Sequence, residues 1–322
     1  MRLTPKRILR ILNSYIVRAG PYRFLTKRYF GVGNIALTER IIEIESFRND
    51  VIPQRLPVGS FKSILLLAPH QDDEVIGAGG TLVMARDAGV DIAIVYCTDG
   101  QQNDLESEVR RQESRKVCER LGAKMFELDI SNLKPKPQKK DLEELNEIIQ
   151  SVKPNVILCP WLFDGAPKHR MINHILWLAN TLATLPDIEI WGYQVQNTLL
   201  PNGFVDITAV ADEKRFLLEC FPSQNGDRHY DHVAMGLAAW NSRLLSKSKT
   251  PAFVEIFFTL PARELMKLIE QFYFKDLELT YAGEPSVAAN LRELHLLITK
   301  TDVGESTIAN SQILNDEGMS EL

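Results

Sequence analysis

Short apolar runs alternate with amphipathic segments through the middle of the chain. The runs at residues 64–67, 91–97 and 155–159 are rich in aliphatic residues and are followed by polar or turn-forming residues, which is typical of strands buried on both faces. Between them, residues 106–121 and 141–152 place apolar side chains at helical spacing. This alternation predicts an α/β fold with a Rossmann-like, doubly wound, mostly parallel sheet that has helices on both faces.

The rest of the pattern predicts further elements and a division into segments. The other expected elements are helices near residues 81–88, 168–185, 212–221 and 233–245 and strands near residues 124–128, 188–195, 205–207 and 253–259. A smaller C-terminal α+β portion is also expected. The expected segments are an N-terminal extension at 1–58, a main domain at 59–262, a C-terminal helical extension at 263–300 and a disordered acidic tail at 301–322.

The first 29 residues are basic and amphipathic, and two interpretations are open. Eight lysines and arginines alternate with apolar residues, and no uninterrupted apolar stretch typical of a secretory signal is present. The segment could lie as a helix on an anionic membrane surface, which would make the protein peripheral to a membrane. Alternatively, it packs against the main domain or against a partner subunit.

The bulk properties fit a globular cytoplasmic protein. The hydrophobic fraction of 45% is ordinary for such a protein, and no run of 18 apolar residues is long enough to span a bilayer. The net charge of -5 gives no general attraction to nucleic acid. The cysteines lie far apart in apolar stretches, which is expected of reduced thiols, and they are Cys97, Cys118, Cys159 and Cys220.

A histidine and three acids follow the apolar run at residues 64–67. His70, Asp72 and Asp73 therefore fall just beyond the carboxyl end of a predicted parallel strand, where α/β proteins bind ligands. Asp99 follows the next strand, so two strands bring acids to one edge of the sheet. His70 and Asp73 can bind one zinc ion with a position left for water, while Asp72 stays free as a general base. The alternative is a histidine that only packs or caps.

Two adjoining segments carry a resemblance to a known family. Residues 68–74, APHQDDE, and 77–80, GAGG, resemble the A-H-P-D-D-E signature of the LmbE-like, or PIG-L, family of zinc-dependent N-acetyl-sugar deacetylases. The resemblance extends over about residues 61–260. Weaker landmarks of the family follow in order: Thr98-Asp99-Gly100, Arg110 to Glu113, Leu121-Gly122, Val205 to Thr208, Lys214, Ser223-Gln224 and Glu255 to Phe257.

The resemblance implies the reaction and the residues of the site. His70 and Asp73 match two of the family's metal ligands, and Asp72 matches its general base. His169, in a segment similar to the family's H-P-D-H-R, matches the third ligand. One zinc ion per chain is therefore expected, although another divalent metal could serve.

Three residues are expected to bind the substrate. Arg110 matches a position that contacts the substrate in relatives, although it could equally be a solvated helix charge. Asp99 belongs to the segment that looks like the family's T-D-G. Trp161 leaves a strand end shortly before His169 and could form a wall of the pocket, whereas the other downstream aromatic residues are expected in the core.

The chain also departs from the family pattern. Ala166 stands where relatives carry a histidine that helps to stabilise the oxyanion, and Lys168 stands where they carry an acid. We expect His229 or His232 to supply the missing donor, or alternatively to belong to the metal site in place of His169. His174 is a further candidate for the donor.

Three classes of function are open at this point. The leading hypothesis is a zinc hydrolase that removes the N-acetyl group from an amino sugar, free or carried on a conjugate such as a lipid or nucleotide. The second is a carbohydrate-binding protein that keeps the metal but is weakly catalytic or inactive. A nucleotide-binding Rossmann domain is disfavoured, because the glycines do not follow the G-x-G-x-x-G spacing and the adjacent acids would repel a pyrophosphate.

Overall fold

The computed structural model describes residues 53–100, 106–197, 199–226, 228–245, 250–273, 277–281 and 284–299. The predictions for the basic N-terminal stretch and for the acidic tail therefore lie outside the described residues. Among the described helices, none combines the length and the apolar character needed to cross a bilayer.

An eight-stranded sheet organises the described residues. Its strands are β1 (Gln54–Arg55), β2 (Ser63–Ala68), β3 (Asp91–Thr98), β4 (Lys124–Ile130), β5 (Val156–Pro160), β6 (Glu189–Tyr193), β7 (Gly203–Asp206) and β8 (Val254–Pro261). The strand order is β1-β7-β8-β6-β5-β2-β3-β4. All neighbouring pairs are parallel except those that β8 makes with β6 and β7.

Helices cover both faces of this sheet. The described helices are α1 (Asp73–Asp87), α2 (Glu106–Leu121), α3 (Lys139–Val152), α4 (Pro167–Leu182), α5 (Ala211–Glu219), α6 (Pro222–Asn225), α7 (Tyr230–Asn241), α8 (Ala262–Leu268), α9 (Leu277–Thr280) and α10 (residues 285–299). One hydrophobic core lies under α1, α2, α5 and α7, and a second lies under α3, α4, α8 and α10. The predicted doubly wound, mostly parallel architecture is confirmed.

Helix α1 begins earlier than the sequence pattern predicts. The helix starts at Asp73 rather than near residue 81, so Gly77, Gly79 and Gly80 lie inside it and do not form a turn before it. A Cβ atom at Gly77 would lie 2.2 Å from a ring carbon of Tyr193, and one at Gly80 would lie 2.7 Å from Ile207. The glycines are therefore required for close packing of α1 and not for a turn.

The strand order places a crevice between β2 and β5. From β2 the chain continues through β3 to β4 on one side, and it then returns to β5 on the other side of β2. At such a switch point, the loops that leave neighbouring strands diverge and open a crevice at their carboxyl ends. The segment that follows β2 carries His70, and the segment that follows β5 leads to His169. Both segments border this crevice.

Candidate active site

His70, Asp73 and His169 form a compact group at the crevice. Asp73 Oδ2 lies 3.0 Å from His70 Nδ1 and 3.4 Å from His169 Nε2, and the two nitrogens are 3.3 Å apart. In a tetrahedral zinc site with bonds of about 2.0–2.2 Å, neighbouring ligand atoms are about 3.3–3.6 Å apart. The three atoms thus have the spacing of one face of such a site, and within the described residues they are a group that could hold a metal ion.

The far side of each imidazole contacts an oxygen atom. His70 Nε2 lies 2.9 Å from Asn132 Oδ1, and His169 Nδ1 lies 2.9 Å from Asp164 Oδ1. The amide oxygen of Asn132 and the carboxylate of Asp164 can only accept, so both favour a proton on the outer nitrogen of each ring and direct His70 Nδ1 and His169 Nε2 toward the candidate metal position. Both rings are therefore oriented so that one nitrogen of each can bind a metal when it carries no proton.

The electrostatics of the group favour a positive charge at its centre. Burial alone would lower the pKa of His169, but the carboxylates of Asp73 and Asp164 raise it to about 9. Burial likewise opposes ionisation of Asp73, yet the two histidines lower its pKa to about 2. A cation at the centre of the group would experience the same attraction, so the charges as well as the distances fit a divalent metal.

Asp72 lies beside this group but is not one of its three members. Its backbone has φ 125° and ψ −27°, a conformation that costs a non-glycine residue about 1–3 kcal/mol. Its carboxylate Oδ2 lies 3.7 Å from the Arg110 guanidinium. Burial, followed by the charge of Asp73, raises the pKa of Asp72 well above its usual value. The carboxyl group thus lies on a strained backbone beside Arg110 and outside the three-atom group, and its raised pKa suits it to exchange a proton.

Glu74 holds the backbone of Asp72 in place. Its Oε2 accepts a hydrogen bond of 3.0 Å from the Asp72 backbone N–H, and its Oε1 accepts one of 2.8 Å from the Tyr96 hydroxyl. Burial raises the pKa of the fully buried Glu74 to about 7. The third acid of the motif therefore fixes the turn that carries the other two.

A cavity of about 750 Å³ opens in front of these residues, which is within the range of small-molecule sites. Asp72, Asp73 and both histidines of the group line it, as does Arg110, which is buried. The other lining residues are Ile76, Asn132, Leu133, Ala166, Pro167, Lys168, Val195, Gln196, Gln224, Arg228, Tyr230, Val233, Ala234, Leu237 and Glu284. The cavity combines a polar floor with partly apolar walls.

Two predicted substrate residues lie elsewhere. Trp161 is 1% exposed and packs against Phe163 and Phe258 in the core, so it is not a pocket wall. Asp99 is not among the described residues that line the cavity. Its Oδ1 accepts a hydrogen bond of 2.9 Å from the backbone N–H of Asn132, the residue that orients His70.

The predicted donor histidines also lie away from the cavity. His229 and His232 are exposed and are not among the described residues that line it, whereas Arg228 and Tyr230 of the same segment are. Nor do the two histidines belong to a metal-binding group among the described residues. His174 is fully buried, with its Nδ1 2.7 Å from the Tyr281 hydroxyl. The structure therefore does not bring these candidates to the site.

Sequence reasoning missed Asp164, for which a signal existed, and Asn132, for which none did. Asp164 follows β5 by four residues, and an acid near the carboxyl end of a central parallel strand is a candidate for the site. Asn132 follows β4, and its backbone N–H contacts Asp99, the residue after β3, only in the folded protein. That contact depends on a backbone hydrogen bond, which residue types alone do not reveal.

The fold and the site define a doubly wound α/β protein with a candidate His-Asp-His metal centre at its switch point. Residues 65–180 match the family described as GlcNAc-PI de-N-acetylase, PIG-L. These residues therefore form a domain of the PIG-L, or LmbE-like, family, and the family resemblance of the motifs is confirmed.

Several relatives show how varied the similar proteins are. The chain is 29% identical to diacetylchitobiose deacetylase of Thermococcus kodakarensis over 192 residues, which cover 52% of this chain and 72% of the relative. It is 26% identical to 4-oxalmesaconate hydratase of Pseudomonas putida over 203 residues, which cover 54% and 79%. The solved N,N'-diacetylchitobiose deacetylase from Pyrococcus horikoshii has the same fold, with a TM-score of 0.56 at 21% identity over 71% of this chain and 94% of that one.

Proposed function

We propose that the protein is a metal-dependent hydrolase that removes the N-acetyl group from an N-acetylated amino sugar or its conjugate. The observation that carries this proposal is the free carboxyl group of Asp72 beside three ligand atoms spaced 3.0–3.4 Å apart in one cavity. The similarity to a deacetylase of a disaccharide supports the substrate class. Zinc, one ion per chain, is the proposed metal, because the ligand set of two imidazoles and one carboxylate suits it.

The residues divide the work of amide hydrolysis. His70, Asp73 and His169 would hold the metal. When bound, zinc polarises a carbonyl group and lowers the pKa of water from about 15.7 to about 7. Asp72 accepts a proton from the attacking water and returns it to the leaving amine, for which its raised pKa is suited. Arg110, at 3.7 Å from Asp72, keeps this carboxyl group in place and faces the substrate.

Tyr230 is the proposed donor to the oxyanion in place of the histidine that is absent at Ala166. Both residues line the cavity. The Tyr230 hydroxyl accepts a hydrogen bond of 3.0 Å from Arg228 Nη1, so its own proton is available for another acceptor. Lys168, which also lines the cavity and forms no ion pair within the described residues, is the alternative donor.

A second candidate function is the hydration of an unsaturated carboxylate. The identity of 26% with a hydratase over 79% of that protein's length favours it. Three cations, Arg110, Lys168 and Arg228, line the cavity and could bind carboxylate groups. A carbohydrate-binding protein with a bound metal and little catalysis is the remaining alternative.

One experiment separates these functions. The zinc-loaded protein is incubated with a panel of N-acetylglucosamine conjugates, including lipid-linked ones, and released acetate and free amine are measured. In parallel, conjugated unsaturated dicarboxylates are followed by the loss of their ultraviolet absorbance. Asp72→Asn, which keeps the shape of the side chain, is the matched control. Acetate release that Asp72→Asn abolishes supports the proposal, hydration without acetate release supports the second candidate, and binding without either reaction supports the third.

A further inference from the structure

A buried ion pair beside helix α1 has no part in the chemistry described so far. Lys214 of α5 and Glu255 of β8 have side chains that are 1% and 3% exposed, and Lys214 Nζ lies 2.6 Å from Glu255 Oε1. Removing two charges from water is costly, and apolar residues of similar size often give equal or better stability. Stability alone therefore does not account for the pair.

Both members of the pair contact the backbone of α1. Lys214 Nζ donates a hydrogen bond of 2.9 Å to the carbonyl of Ile76. Glu255 accepts hydrogen bonds of 2.8 Å from the backbone N–H groups of Gly80 and Thr81 and one of 2.6 Å from the Thr81 hydroxyl. The carbonyl of Ile76 and the N–H of Gly80 are the two groups that one step of an α-helix normally joins. The pair thus binds both groups of this step of the hydrogen-bond ladder and also the N–H of the next step.

The charges and the shape of this contact are complementary. The ammonium group meets a carbonyl oxygen and the carboxylate meets N–H groups, so each charge faces the opposite end of a peptide dipole. A Cβ atom at Gly79 would lie 3.4 Å from Lys214 Cγ. The aliphatic part of Lys214 therefore packs against this face of α1.

The contact lies one turn from the candidate metal site. Ile76 closes the turn of α1 that begins at Asp73, and its side chain lines the cavity. On the other side, this turn is held by Glu74, which Tyr96 contacts. We propose that Lys214 and Glu255 are positioning residues that fix the first turn of α1, and with it Asp72 and Asp73, for metal binding. This inference rests on the proposed role of the group as a metal site.

The test is the double variant Lys214→Met/Glu255→Gln. It leaves no unpaired buried charge, and the glutamine oxygen still accepts from one of the two helix N–H groups, so the thermal midpoint should fall by less than in either single variant. We expect the zinc affinity, measured by competition with a chromophoric chelator, to fall by about tenfold or more, as when groups that orient ligands are lost. The matched control, Arg120→Met/Glu213→Gln, removes a surface pair that also involves α5. Its zinc affinity should be unchanged.

Hydrogen exchange of the metal-free protein gives an independent result. Peptides that cover residues 69–80 should exchange faster in the double variant than in the wild type and the control. Thr81→Val removes the hydroxyl contact with Glu255 and leaves the ion pair. It should lower the zinc affinity and speed the exchange, but by less than the double variant does. If the double variant does not fold, Thr81→Val is the variant that tests the inference. Wild-type zinc affinity together with wild-type exchange would overturn the inference. Failure of the wild type to bind zinc would contradict the proposed function instead, and the exchange rates would still decide whether the pair positions the turn.

Discussion

The carboxylate of Asp164 lies 2.9 Å from Nδ1 of His169, and both side chains are almost completely buried. Burial alone would raise the pKa of Asp164, but His169 and the backbone N–H groups of Gln196 and Ala166 keep it below its usual value. The ionised carboxylate thereby fixes both the ring orientation and the basicity of His169 Nε2. The loss of such a partner typically weakens metal binding.

Asp164→Asn should therefore weaken zinc binding by about 10–100-fold, because it removes the charge and keeps the shape. Equilibrium competition with a chelator measures the change. Asp212→Asn, at a fully exposed carboxylate, is the control and should bind zinc as the wild type does. Equal affinities of the two variants would mean that Asp164 has only a structural role.

Replacement of a proposed ligand should abolish zinc binding. His70→Ala, Asp73→Ala and His169→Ala each remove one of three convergent atoms, and metal content by mass spectrometry should fall from one zinc per chain to near zero. His232→Ala should keep the full content, because this side chain is exposed away from the cavity. The opposite result for His169 and His232 would refute the assignment of the third ligand.

Asp72→Asn should retain zinc and lose turnover. A positioned proton-transfer group contributes about 10²–10⁴ in rate, so kcat for deacetylation should fall by about 10²-fold or more. Metal content and kcat are measured on the same preparation. If zinc is lost together with activity, Asp72 is a metal ligand, and the roles of base and ligand proposed for Asp72 and Asp73 must be exchanged.

Tyr230→Phe should lower kcat by about 10²–10³-fold with zinc retained, which is the typical cost of one lost oxyanion donor. Adding Ala166→His to Tyr230→Phe should restore part of the rate. His229→Ala is the neighbouring control and should be close to the wild type. If Tyr230→Phe is fully active and Lys168→Met is slow, the lysine is the donor.

The stability of the protein should decrease in acid partly because of His174. Burial lowers the pKa of His174 to about 3 from its usual 6.5, and its Nδ1 faces the Tyr281 hydroxyl. Below pH 6.5 the unfolded chain therefore binds a proton that the folded protein excludes, and the free energy of unfolding falls as the pH falls. Urea unfolding at pH 7, 6 and 5 should show a smaller decrease for His174→Gln than for the wild type. Parallel decreases would show that other groups dominate.

The parts of the site that come from strand ends could be predicted from the sequence. His70, Asp72 and Asp73 directly follow β2, and the strand order brings His169 opposite them. By contrast, residue types alone could not show which side chain of residues 229–232 faces the cavity. In α7, Tyr230 lies on the same face as the lining residues Val233, Ala234 and Leu237, whereas His232 is exposed on another face.

The errors at α1 and Trp161 have a different origin. Glycines favour a turn by local propensity, but here they serve the contact of a buried helix with Tyr193 and Ile207, which only the packed structure shows. Trp161 leaves β5 at the correct edge of the sheet, yet its ring turns back into the core beside Phe258. In both cases a tertiary contact decides what the local pattern leaves open.

At Asp72, the positive φ lowers the stability of the protein, while the side chain is required for the proposed activity. Glycine adopts this backbone conformation without strain, so Asp72→Gly would relieve a cost of about 1–3 kcal/mol while it removes the proposed base. A screen of variants for heat resistance alone would therefore tend to enrich inactive proteins at this position. Engineering of a more robust enzyme from this scaffold would have to exclude residue 72 from the search and seek stability far from the crevice.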